Sequence, residues 1–106
     1  MPPHIQKLLQ ELKSELIRIY GERLKGVYLY GSYARGEQQP GSDVDVMIVL
    51  TSYQRYGDEI RRTSELNAKL SLAYNLSISR LFLTEERWKH EDSPLLRNIR
   101  TQGLPA

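Results

Sequence analysis

Two aspartates at the mouth of an apolar run set the tightest constraint on how this chain can fold. Asp43-Val44-Asp45 leads without a break into Val46 to Leu50 (VMIVL), which has the length and β-branched content of a buried strand. Alternation along a strand sends Asp43 and Asp45 to one face, about 7 Å apart along the chain. Met47 and Val49 share that face, while Val44, Val46, Ile48 and Leu50 line the other. Two like charges side by side at the border of a core are costly unless a cation offsets them. A divalent metal carrying a phosphate substrate is the natural offset, with Asp43 and Asp45 as its ligands.

Upstream, Gly26 to Tyr30 (GVYLY) reads as a first strand that runs into Gly31-Ser32, with ten residues between Ser32 and Asp43. Glycine allows a backbone to approach a phosphate closely and tolerates a positive φ. Ser32 to Arg35 reads as a short helical turn, and a helix start exposes N–H groups that favour an anion. Gly31 and Ser32 are thus candidate phosphate-binding residues, through Ser32 Oγ and backbone amides. Arg35 is within reach of the same phosphates, and Ser42, at the entry to the second strand, completes the candidate nucleotide-binding set. Gly36 to Gly41 (GEQQPG) is a loop by its Gly and Pro content.

The remainder reads as scaffold. Residues 4 to 23 form an amphipathic helix with Ile5, Leu8, Leu9, Leu12, Leu16, Ile19 and Tyr20 on one stripe, ending near Gly21. Residues 51 to 57 connect to a second long helix over 58 to 74, opened by Asp58 as its N-cap. Leu76 to Leu83 (LSISRLFL) is a third strand. Thr84 caps a short helix that packs Trp88 on the sheet, and Ser93-Pro94 starts a last helix that ends before Gly103. His4 and His90 are isolated and read as surface residues.

A length of 106 residues suits one small domain, residues 1–106. The absence of cysteine excludes a disulfide framework or a thiolate metal site. No run approaches the roughly 18 apolar residues that a membrane span needs, and MPPHIQKLLQ lacks the apolar core of a signal peptide. A cytoplasmic location is the expectation. A net charge of +2, spread along the chain, argues against nucleic acid as the direct substrate. Seven tyrosines suit half-buried or interface positions, and together with a sheet edge they offer surface for a homodimer or another partner.

The pattern G-S-x10-D-x-D, in GSYARGEQQPGSDVDVMIVL, resembles the minimal nucleotidyltransferase (MNT) group of the polymerase-beta-like superfamily. The resemblance implies an α/β (α+β) fold, with a small mixed β-sheet of three or more strands packed with helices. It implies ATP as substrate, Mg²⁺ as cofactor and Asp43 and Asp45 as catalytic metal ligands. It further implies a HEPN-domain ribonuclease toxin as partner, neutralised when AMP is transferred from ATP to one of its tyrosines. One departure stands out. Such enzymes usually carry a third carboxylate on the next core strand, where LSISRLFL offers only Ser77 or Ser79. Glu37, Asp58 and Glu85 are the acids that could substitute. The alternative is therefore an antitoxin that is catalytically weak and neutralises its partner by occlusion. A nucleotidyltransferase acting on tRNA or an antibiotic is disfavoured, because no region of the chain remains to hold such acceptors.

Overall fold

The computed structural model describes residues 1–106. Its elements run α1 (Pro3–Tyr20), a 3₁₀ turn (Gly21–Arg23), β1 (Leu24–Tyr30), α2 (Ser32–Arg35), β2 (Val44–Leu50), α3 (Tyr56–Arg62), α4 (Ser64–Tyr74), β3 (Ile78–Thr84), α5 (Glu85–His90), α6 (Pro94–Gln102) and β4 (Leu104–Pro105). The expected α/β class and mixed sheet are present: four strands in the order β3-β2-β1-β4. β1 runs antiparallel to β2 and β4, and β2 runs parallel to β3. The parallel pair needs a crossover, which α3 and α4 supply.

Alternation along β2 organises the interior. Val44, Val46, Ile48 and Leu50 join Val27, Leu29, Ile78 and Phe82 in the main core, closed by Ile5, Leu8, Leu12 and Leu16 of α1 and Leu66 and Leu70 of α4. Met47 and Val49 point the other way, into a smaller core with Leu83, Leu96 and Ile99. Trp88 of α5 covers that core, its ring 5.1 Å from the Tyr28 ring and 4.8 Å from the Arg100 guanidinium carbon. Cover on this second face ends at Asp45, which is only half-buried, whereas every residue from Val46 to Leu50 is buried.

The scaffold departs from sequence expectation in four places. α1 stops at Tyr20, because Gly21 takes φ +56° and the chain turns. The helix expected over 58 to 74 is two helices broken at Thr63. Arg80 reaches across from β3 to the Ile60 carbonyl (2.9 Å) and the Thr63 hydroxyl (2.6 Å), and a carbonyl so engaged sits at the break. The first of the two begins at Tyr56 with Arg55 at its N-cap, so Asp58 lies in the first turn and pairs with Arg61. A short β4 adds an edge strand beside β1. The Thr84 and Ser93 caps form as expected, each side chain accepting a backbone N–H three residues on.

Both sheet edges are managed. On the β3 side, the Tyr56 hydroxyl accepts the Phe82 N–H at 3.2 Å, so α3 occupies that edge. On the β1 side, β4 pairs with Tyr28 and Leu29, and the ladder to β2 slips between Leu24 and Gly26 with Lys25 at the irregularity. No helix is long and apolar enough to cross a membrane.

Candidate active site

The site forms where β1 ends and β2 begins. Tyr30 pairs with Asp45, so the turn that follows Tyr30 lies against the carboxylate. Gly31 makes that turn with φ +76° and ψ −157°, a region essentially reserved for glycine. A Cβ at Gly31 would stand 2.2 Å from Asp45 Oδ2. The glycine is therefore required twice: for its backbone angle and for the space its missing side chain leaves to the carboxylate. The Gly31 carbonyl accepts the N–H groups of Ala34 (3.1 Å) and Arg35 (3.2 Å), which starts α2 at Ser32 beside Asp45. Gly36 then ends α2 in the left-handed region.

Electrostatics mark Asp45. Burial raises its carboxyl above the ordinary carboxylate value, the Asp43 charge raises it further, and Arg35 opposes both. No Lys, Arg or His forms an ion pair with either aspartate. Arg35 itself lies 3.4 Å from Glu37 Oε2. Burial, followed by the Asp45 charge, also raises the Tyr30 phenol.

The structure brings Gly31, Ser32, Arg35, Asp43 and Asp45 together. Ser42 behaves differently: its hydroxyl accepts the Gln39 N–H at 2.8 Å and its own N–H donates to the Gln39 carbonyl, so its side chain closes the loop before β2. The acids that could replace a third carboxylate each pair with a cation: Glu37 with Arg35 of the site, Asp58 with Arg61, and Glu85 3.8 Å from Lys89. At the β3 position paired with Asp45 stands Ser79, exposed. No group of three or more acids or histidines gathers to hold a metal. Tyr30, which sequence reasoning passed over as a strand residue, lies on the other side of Asp45. Its signal in the sequence was its position directly before Gly31.

Two carboxylates, one partly desolvated and neither neutralised by a protein cation, suit a hard divalent ion. Mg²⁺ takes one or two carboxylates and completes its shell with phosphate oxygens and water, so this donor set fits it when a nucleotide is present. Asp43 and Asp45 are the residues that would hold it.

Comparison with known proteins identifies the family. A Methanocaldococcus jannaschii protein bearing the name "Putative protein adenylyltransferase" is 32% identical over 100 residues, covering 92% of this chain and 93% of its own length. Among solved structures, a toxin–antitoxin with AMP-PNP superposes with a TM-score of 0.61 at 24% identity, covering 88% of this chain and 68% of the other. A tri-AMPylated Shewanella oneidensis HEPN toxin in complex with MNT antitoxin contains a chain that superposes with a TM-score of 0.52 at 20% identity, covering 91% and 69%. At these identities the two structures speak for the fold. The profile of the nucleotidyltransferase domain matches residues 5–100, from the first helix through the last, and takes in the whole Gly31–Asp45 turn. The chain belongs to the nucleotidyltransferase domain family.

Proposed function

We propose that this chain transfers AMP from ATP to a tyrosine hydroxyl of a HEPN-type partner, neutralising that partner as an antitoxin. The observation that carries the reading is the approach of Gly31 to Asp45. It brings a glycine turn and a helix start against paired aspartates, as a nucleotide phosphate chain requires. Ser32 and the turn amides hold the phosphates, while Arg35 offsets their charge and Asp43 and Asp45 hold Mg²⁺. Bound there, Mg²⁺ neutralises the negative charge that grows on the phosphates during transfer. The acceptor oxygen forms a bond to the α-phosphorus, the bond to pyrophosphate breaks, and the hydroxyl proton leaves to solvent. Transfer of this kind depends mainly on positioning and charge neutralisation. The name of the M. jannaschii relative and the two toxin–antitoxin structures support adenylyl transfer and a HEPN-type partner.

A second reading is neutralisation by occlusion, and the observation favouring it is Ser79 opposite Asp45 in place of a third acid. One experiment separates the two. The HEPN-type protein is incubated with this chain, Mg²⁺ and ATP, and its intact mass is measured, with the Asp43→Asn/Asp45→Asn variant alongside. Adenylate-sized mass gains that vanish with the variant are expected. No gain, with a stable complex and full neutralisation by the variant, would establish occlusion.

A further inference from the structure

We propose that Tyr30 contacts the substrate, its phenol donating a hydrogen bond to a phosphate oxygen of a nucleotide held on Asp43 and Asp45; this rests on the nucleotidyltransferase reading above. In the β1–β2 ladder Tyr30 is the direct partner of Asp45, so both side chains leave the sheet on one face with Cβ atoms about 5 Å apart. A phenol is longer than a carboxymethyl group by a whole ring. Its hydroxyl can therefore reach farther from the sheet than the carboxylate, toward what the carboxylate holds. The ring has a fixed bed: Tyr30 packs on the small core of Met47, Val49, Leu83, Leu96 and Ile99. The hydroxyl has no such engagement. The hydroxyls of Tyr20, Tyr56 and Tyr74 bond to Glu59, the Phe82 N–H and Glu11 respectively. Tyr30 has no partner within the chain. Nor is its oxygen sealed, the unpartnered sealed side-chain atoms being Gln38 Oε1 and Asn67 Oδ1. A ring held by packing, with an unpartnered and unsealed hydroxyl on the residue paired with Asp45, is preorganised for a ligand. Ser79 completes a row Tyr30–Asp45–Ser79 across three strands. It stands exposed on β3 and, unlike Tyr30, has no ring to lift its hydroxyl above the carboxylate.

The test is the affinity of the full chain for ATP and for tripolyphosphate, each with Mg²⁺, by titration calorimetry. Tyr30→Phe keeps the ring on its bed, so the melting midpoint should not move. Both Kd values should rise about tenfold or more, as expected when a hydrogen bond to a charged oxygen is lost. Tyr28→Phe, two residues earlier on the same face and packed against Trp88, is the control and should leave both affinities unchanged. Equal affinities for wild type and Tyr30→Phe would overturn the assignment of Tyr30 and leave the family reading standing. So would equal loss in Tyr28→Phe. Failure of the wild-type chain to bind either probe would overturn the nucleotide reading itself, and Tyr30 with it.

Discussion

Replacing Gly31 with alanine tests the core of the site, and Gly36 supplies an internal reference. Both glycines have positive φ, +76° and +71°. At Gly31 the ψ of −157° puts the backbone in a region where other residues cost about 1 to 3 kcal/mol. Gly36, at ψ +23°, is in the ordinary left-handed region, where the cost is about 1 to 2 kcal/mol. Since 1 kcal/mol moves the midpoint of a domain this size by about 4 to 8 °C, both variants should melt several degrees below wild type. They differ in what the new methyl group meets. Around Gly36 there is nothing within 4 Å, whereas at Gly31 the methyl would lie 2.2 Å from Asp45 Oδ2. The carboxylate must swing away, and with it one of the two proposed metal ligands. Thermal melting followed by titration with Mg²⁺ and ATP reads both effects. Gly36→Ala should lose stability and keep nucleotide binding, and Gly31→Ala should lose both. Gly31→Ala binding MgATP like wild type would refute the claim that the glycine's missing side chain positions Asp45.

Four further outcomes follow from named residues. Asp45 has a raised carboxyl pKa, so the folded chain holds that proton more tightly than the unfolded one. The resulting stabilisation is present at low pH and is lost as pH rises through the raised value. Without metal, Asp45→Asn should therefore melt no lower than wild type at pH 7, with the difference closing as pH falls toward 4; addition of Mg²⁺ with ATP should raise the wild-type midpoint and leave that of Asp43→Asn/Asp45→Asn unmoved. Ser79→Asp places a third carboxylate beside Asp45, so it should tighten metal binding and speed transfer at limiting Mg²⁺. A slower variant in the mass assay would mean that two acids are the complete ligand set. Glu59 is a buried carboxylate holding the Tyr20 hydroxyl at 2.7 Å, and Glu59→Ala leaves that hydroxyl without a partner. A loss of about 1 to 3 kcal/mol by urea denaturation is expected, with Glu59→Gln losing less.

The site was more legible in the sequence than the scaffold around it. The glycine turn, the paired carboxylates and the two faces of β2 follow from local rules of spacing and alternation, and such rules act on neighbours in the chain. What escaped depends on contacts between distant residues. The break at Thr63 is set by Arg80, seventeen positions later, and no helix-breaking residue announces it. β4 is two residues long, too short for any periodicity, and exists because β1 offers it an edge. Ser42 was a nucleotide-binding candidate at the strand entry, but its hydroxyl closes a loop whose geometry only the folded chain reveals. Tyr30 looked like one more aromatic strand residue until register set it opposite Asp45.

The treatment of the sheet edges bears on how this molecule behaves in concentrated solution. Open strand edges are the templates on which chains stack into fibrils. Here Tyr56 places a hydroxyl on the outward N–H of Phe82, and on the far side the register slip puts a lysine where a flat edge would otherwise begin. A copy approaching edge to edge meets a helix on one side and an irregular, charged strand on the other. The chain can therefore keep a hydrophobic central strand such as VMIVL without inviting ordered self-association, so long as α3 stays docked.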